Sequence, residues 1–368
     1  EHIKWLPSGL DVPYYDMSGA RYALYWAAPL LMMSVLKIGL TRRRSWMILI
    51  WTSILTACLM CVLAIAVRLS GSDKMLWLYQ SGQWAVFLFG SFVNNTHGAT
   101  YCYLNLALAL GVFLHSREQD IEKNRLSGRH WLCIFPVIVL LAGIGYAGSR
   151  ASFIIAAVLC AMLFVFAAMA AIRRRRMGAL KIMFVSLTAG VLVCAAGGYA
   201  SIEYQLSALK RFELLDSQSS VAGRLTFIKV AADVVKERPL WGHGGGSFFY
   251  SSDKYTRGNP AFVTTVEHGK TAPFQLEHAH CDWLEFPADV GIAGSLFLLA
   301  ILVYWLANIL PHLRTASPLV WYLLLGLLLL GMQGTIDFPA ACPAVVFTAI
   351  LMCVGAAVVG KRQARALH

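Results

Sequence analysis

The sequence predicts an all-α, polytopic transmembrane helix bundle with about nine spans and one large helical loop on the non-cytoplasmic side. Three observations predict it. Of the 368 residues, 58% are hydrophobic and 14% are charged, with a mean hydropathy of +0.62, whereas a soluble domain carries about 25% charged residues. The apolar residues gather in blocks of roughly 17 to 25, the length that crosses about 30 Å of hydrocarbon at 1.5 Å per residue. Between the blocks, clusters of Lys and Arg fall on alternate connections, as they do when short basic loops stay in the cytoplasm.

Nine spans follow in order: 22–38, 45–67, 97–114, 131–148, 152–172, 181–200, 286–310, 318–335 and 341–359. The basic connections are Arg42 to Arg44, the 115–130 loop with Arg117, Lys123, Arg125 and Arg129, and Arg173 to Arg176 with Lys181. Arg314 and the tail with Lys361, Arg362 and Arg365 join the same side. Segments 1–21, 68–96, 149–151, 201–285 and 336–340 then lie opposite. This distribution explains the net charge of +12 without nucleic acid. The sequence starts at Glu1 and is read as the C-terminal part of a longer protein, with further helices before it. Three regions result: an N-terminal membrane part (1–200), a large loop (201–285), and a C-terminal membrane part with a basic tail (286–368).

The spans hold almost no Asp, Glu, Lys or Arg, and no broken helix is expected among them. That argues against ion-coupled transport, which uses such features near the midplane. Cys58 and Cys61 form a CxxC inside an apolar helix with no second pair, so they read as small hydrophobes.

Segment 201–285 is polar and too long for a simple connection. A helix is predicted from Arg224 to Glu237, with Leu225, Ile228, Ala231, Ala232 and Val235 on an apolar face and Lys229, Asp233, Lys236 and Glu237 opposite; Pro239 and Gly242 end it. Arg224 falls on the apolar side, at a helix start where the macrodipole disfavours a cation. It reads either as the partner of an anion or as a snorkelling or salt-bridged Arg. Arg150, in the short turn Gly148-Ser149-Arg150, reads as a phosphate contact or an interfacial anchor.

The densest cluster of ionisable groups is Glu277-His278-Ala279-His280-Cys281-Asp282. Three readings stand: metal ligation by His278, His280 and Asp282, a general base, or a histidine cap at the membrane interface. Gly242-His243-Gly244-Gly245-Gly246 reads first as a tight turn, and second as a nest of N–H groups for phosphate.

The run His280-Cys281, nine residues, Gly291, two residues and Gly294 resembles the signature of the O-antigen ligase and O-antigen polymerase superfamily. Four further segments resemble it in order: Phe92-Val93-Asn94-Asn95-Thr96-His97, Ser149-Arg150, Gly223-Arg224 through Pro239-Leu240-Trp241-Gly242-His243-Gly244, and Asp337-Phe338-Pro339. The resemblance spans about residues 90–345. Cys281 departs from it, standing where a small polar amide or hydroxyl is usual.

The resemblance implies a metal-independent, cofactor-free, GT-C-like glycosyltransferase in the bacterial inner membrane with its large loop periplasmic. Its donor would be a glycan linked through diphosphate to undecaprenol. The acceptor would be a hydroxyl on a glycan, lipid A-core or other molecule, and the outcome would be inversion. Under that reading His280 takes the acceptor proton, while Arg150 and Arg224 stabilise the diphosphate. Lys210, Arg211, His278, Asn94, Asp282 and Asp337 are the substrate-binding candidates, with Asp282 ahead of Asp337 as the group that orients His280. The other readings are a protein O-oligosaccharyltransferase, and a transporter or binding partner of lipid-linked glycan without catalysis. Loss of function through His280, Arg150 and Arg224 in a folded protein separates an enzyme from a transporter.

Overall fold

The computed structural model describes residues 19–40, 42–72, 74–80, 88–122, 132–174, 221–259, 262–265, 271–273 and 276–366. The expected span at 181–200 and the candidates Lys210 and Arg211 lie outside them. The described chain is all-α in character: α1 (Gly19–Gly39), α2 (Arg43–Leu69), α3 (Asn95–Glu122), α4 (Ile134–Ala147), α5 (Arg150–Arg174), α6 (Val221–Glu237), α7 (Phe248–Thr256), α8 (Asp282–Ile309), α9 (Pro318–Gln333) and α10 (Pro343–Ala366). Two small antiparallel ribbons are added: β1 (Lys74–Met75) with β2 (Tyr79–Gln80), and β3 (Val263–Thr265) with β4 (Thr271–Pro273). Among the described residues, five helices are long and apolar enough to cross a membrane, and 134–147, 150–166 and 318–333 are shorter apolar helices. The polytopic bundle expected from the apolar blocks is borne out.

Two compact units are formed, one from Glu1–Val35, Phe212–Ala307 and Gly331–Val346, the other from Leu36–Arg211, Asn308–Leu330 and Phe347–His368. In the second unit α3 packs against α2, α4 and α5, and its residues 98 to 112 are buried without interruption. Gly143 admits the close approach of α2, because a Cβ there would overlap Cys61 Sγ. Cys61 in turn meets Cys102 of α3, Sγ to Sγ at 3.3 Å, and both are free thiols.

The first unit has its own core. Phe227, Val230, Ala231 and Val234 of α6 pack with Phe248, Phe262, Leu276, Ala279 and Ala288. The start of α1 joins this unit: Trp26 lies 4.9 Å from Phe286, ring to ring, and Tyr25 Oη donates to Ala340 O at 2.7 Å.

One expectation is corrected here. Helix α8 is broken: Gly291 takes φ 69° and ψ 179°, outside the helical region. In an unbroken helix the N–H groups of Ile292 and Ala293 would bond the carbonyls of Ala288 and Asp289. Instead they donate to Pro239 O (2.8 Å) and Leu240 O (3.1 Å), while His243 N and Gly244 N donate to Ala288 O (3.0 Å) and Asp289 O (2.8 Å). The segment after α6 is thus spliced into the hydrogen-bond ladder of α8, and four bonds stand where two would have been. Closed in this way, the break offers none of these four groups to a passing ion.

Candidate active site

The site is built on α6, the 276–281 loop and the turn at 334–340. In α6 the buried stripe runs through Phe227, Val230, Ala231 and Val234, while Leu225 is exposed. The expected apolar face is therefore turned by about one residue, roughly 100°. The helix is apolar on more than one side, and Phe227, absent from the expected face, decides which side goes in. Arg224 lies one turn before Phe227 and is half-buried on this stripe. Its Nη1 donates to Ile336 O at 3.2 Å, and its Nε is buried without a hydrogen-bond partner.

The 276–281 loop is held by a residue that sequence reasoning missed. Glu285, on the first turn of α8, accepts from His278 Nδ1 at 2.7 Å and from Ala279 N at 2.8 Å. A Glu three residues after the helix start could have been found as a capping residue, a role usually read from the residue at the cap itself. Between this clamp and α8, His280 adopts φ 50°, a left-handed conformation uncommon outside glycine. Its ring sits between Phe227 (centroids 5.4 Å) and Phe338 (4.8 Å, perpendicular), and His278 stacks on Phe338 at 4.2 Å.

Asp337 is the carboxylate beside His280, with Oδ1 3.9 Å from Nδ1, and the Nδ1 atom has no hydrogen-bond partner. Asp337 is buried, and is fixed by Gln333 Nε2 (3.2 Å) and Phe338 N (3.0 Å). Asp282, placed ahead of it in the sequence reading, is turned elsewhere: its Oδ2 accepts from Ala340 N at 3.1 Å, and its N donates to Gly334 O at 2.9 Å. The structure thus brings Arg224, His280 and Asp337 together around Ile336–Phe338.

Burial pushes the His280 imidazole down to about 4; Asp337 pulls it upward, and Arg224 and His278 push it further down. The ring is thus uncharged at neutral pH. His278 moves the other way: burial would lower it, but Glu285 together with Glu277 and Asp282 outweighs that and holds it above the ordinary value. Because His280 titrates at about 4 in the folded chain and at 6.5 unfolded, the unfolded chain binds the extra proton between these values. Stability contributed by this group is complete above pH 6.5 and falls as pH drops toward 4, by roughly 3 kcal/mol. Thermal melts in detergent across this window check it, with His280→Asn expected to lack that part of the acid loss.

The remaining candidates are placed as follows. Four amides of the glycine segment 242–246 are spent internally: besides His243 and Gly244 in the splice, Gly242 N donates to Arg238 O and Gly246 N to Asp289 Oδ2, both at 2.9 Å. That is a turn docked on α8. Asp289, also missed, is buried and takes Phe248 N on Oδ1 at 2.9 Å, tying the start of α7 to α8. Asn94 accepts from Thr96 N at 2.8 Å and caps α3. Arg150 is exposed at the first position of α5. Asn94 and Arg150 belong to the second unit, the other described candidates to the first. Among the described residues no three His, Cys, Asp or Glu side chains are arranged to hold a metal ion.

Residues 135–299 match the family model of the O-antigen ligases. The match contains Arg150, Arg224, His278, His280, Asp282 and Gly291, and bears out the resemblance to the O-antigen ligase and polymerase superfamily. No curated protein matches the chain.

Proposed function

We propose that this membrane protein, of O-antigen ligase type through residues 135–299, transfers a glycan from an undecaprenyl diphosphate-linked donor to an acceptor hydroxyl at the periplasmic face of the bacterial inner membrane. The observation that carries the reading is the convergence of Arg224, His280 and Asp337, where a guanidinium Nε and an imidazole Nδ1 both lack hydrogen-bond partners.

The acceptor oxygen attacks the anomeric carbon as the carbon–oxygen bond to the diphosphate breaks, with inversion. Asp337 draws the Nδ1 proton and leaves Nε2 to take the acceptor proton. The bond's electron pair departs on undecaprenyl diphosphate, whose growing charge Arg224 stabilises without a metal. The long His280–Asp337 separation is of the kind that tightens when substrate arrives. Donor diphosphate also offsets the Arg224 charge, one of the influences that hold His280 down, so binding makes the base stronger. Arg150 is kept as a phosphate contact within its own unit.

Arg224→Ala is expected to lower turnover by about 10²–10³-fold, the loss typical of one transition-state donor, with Arg224→Lys recovering part of it. The measurement is release of undecaprenyl diphosphate by reconstituted protein, with a chelator leaving the wild-type rate unchanged. Wild-type turnover in a folded Arg224→Ala variant would reduce Arg224 to a structural contact with Ile336 and overturn the reading.

A further inference from the structure

The break in α8 divides it chemically as well as geometrically. Asp282, Glu285 and Asp289 all precede Gly291, and no Asp, Glu, Lys or Arg lies from Val290 to Leu313. The apolar run assigned to this helix, Asp282–Leu313, is 32 residues long, whereas about 20 residues cross the hydrocarbon. The stretch 292–309 is about 27 Å long by itself at 1.5 Å per residue, close to one membrane thickness. The surplus is thus the acidic stretch 282–290.

A second observation marks the same level. The segment bonded to Ile292 and Ala293 carries Leu240 and Trp241, which are 62% and 77% exposed. Both are held rigidly, since Gly242 and Gly291 meet backbone to backbone, and a Cβ on either would overlap the other segment's carbonyl. The neighbours on α8 that follow, Ile292, Leu296 and Phe297, are exposed apolar residues too. Lys236 and Arg238, just before the wedge, are exposed cations. An aromatic ring beside exposed aliphatic residues, with cations on one side, is the composition of a membrane–water boundary.

We infer that Pro239-Leu240-Trp241 is a lipid-inserting wedge that binds the phospholipid bilayer at the level of Gly291, with Lys236 and Arg238 toward the headgroups. The occupant is bilayer phospholipid, because the wedge is bonded to the first turn of the apolar stretch and has the same depth. The stretch from Gly291 back to Asp282 then leads from the wedge to the 276–281 loop over roughly 13 Å of helix, at 1.5 Å per residue. The inference concerns seating in the bilayer and stands whether or not the catalytic reading does.

The experiment uses the whole chain in phosphatidylcholine vesicles whose acyl chains carry bromine at carbons 6 and 7. Because the chain has 11 Trp, the Trp241 signal is taken as the difference between wild type and Trp241→Phe. Trp283, on the acidic stretch, is the internal control, through Trp283→Phe. The expected result is loss of most Trp241 emission to the brominated lipid and little to aqueous acrylamide, with the reverse for Trp283. Quenching of Trp241 by acrylamide alone would overturn the wedge, and equal quenching of both tryptophans by bromine would overturn the boundary at Gly291. Recovery of Trp241 emission on adding a polyprenyl phosphate to the vesicles would show a specific site for the donor's chain and likewise overturn bilayer seating.

Discussion

His280→Asn is expected to lower glycan transfer by about 10²–10⁴-fold, the usual worth of a positioned base, while the protein stays folded. Asparagine is the informative replacement because it tolerates the left-handed backbone that His280 adopts (φ 50°). Loss of rate then cannot be assigned to a distorted 276–281 loop. The side chain still fits between Phe227 and Phe338 but offers no lone pair of imidazole basicity. The loss should fall on kcat with KM nearly unchanged, since the proton moves only in the transition state. In wild type, kcat/KM should decline only toward the acid side, where His280 at about 4 becomes protonated. Wild-type turnover by folded His280→Asn would leave His280 as a packed interfacial residue and remove the base from the mechanism.

Gly291→Ala and Gly242→Ala are expected to be the most destabilising small substitutions in the first unit. Both glycines have φ near 69°; Gly291, with ψ 179°, lies in a region that essentially only glycine populates, and an alanine there costs about 1–3 kcal/mol from backbone conformation alone. Each also faces backbone rather than a movable side chain: a Cβ on Gly242 meets Asp289 and Gly291, and one on Gly291 meets Leu240 and Trp241. Relief requires the splice to open, and each of its four bonds contributes about 1 kcal/mol when buried. A total beyond about 4 kcal/mol is expected, in the range that marks a specific structural failure. Gly258→Ala is the control, since Gly258 has φ 76° but nothing within 4 Å of its Cβ position. Detergent melts should show a small shift for Gly258→Ala and a large one for the other two, with new protease sensitivity at 238–246. Equal shifts for all three would mean that the splice contributes little beyond the glycine conformation.

Much of this molecule was legible in its sequence because apolar length is a strong signal. The spans at 45–67, 97–114 and 286–310 correspond to α2, α3 and α8. Other features depended on partners far along the chain. Gly242 and Gly291 each look like ordinary punctuation, and only their meeting explains either. The face of α6 was misread because its apolar residues exceed one stripe, so the helix period alone does not choose between Leu225 and Phe227. Asp289 and Glu285 sit at the edge of an apolar block, where acidic residues read as the end of a span; their work as acceptors for Phe248, His278 and Ala279 is set by tertiary structure. His280 stood out by residue type. Its neighbour Asp337 is 57 residues away, and no local pattern ranks it above Asp282.

The enclosure of α3 bears on how the chain is made. From residue 98 to 112 this helix touches protein on every side, and it carries Thr100, Asn105 and His115 among its buried residues. Lipid is a poor host for such groups, whereas Ser53 of α2 meets Asn105 Oδ1 at 2.7 Å. Packing of α2, α4 and α5 round α3 therefore adds the Ser53 contact to bonds the helix already makes for itself, from Thr100 to Thr96 O and from Asn105 to Tyr101 O. Assembly of this unit thus takes the middle of α3 out of lipid altogether, so that its polar side chains meet protein rather than hydrocarbon.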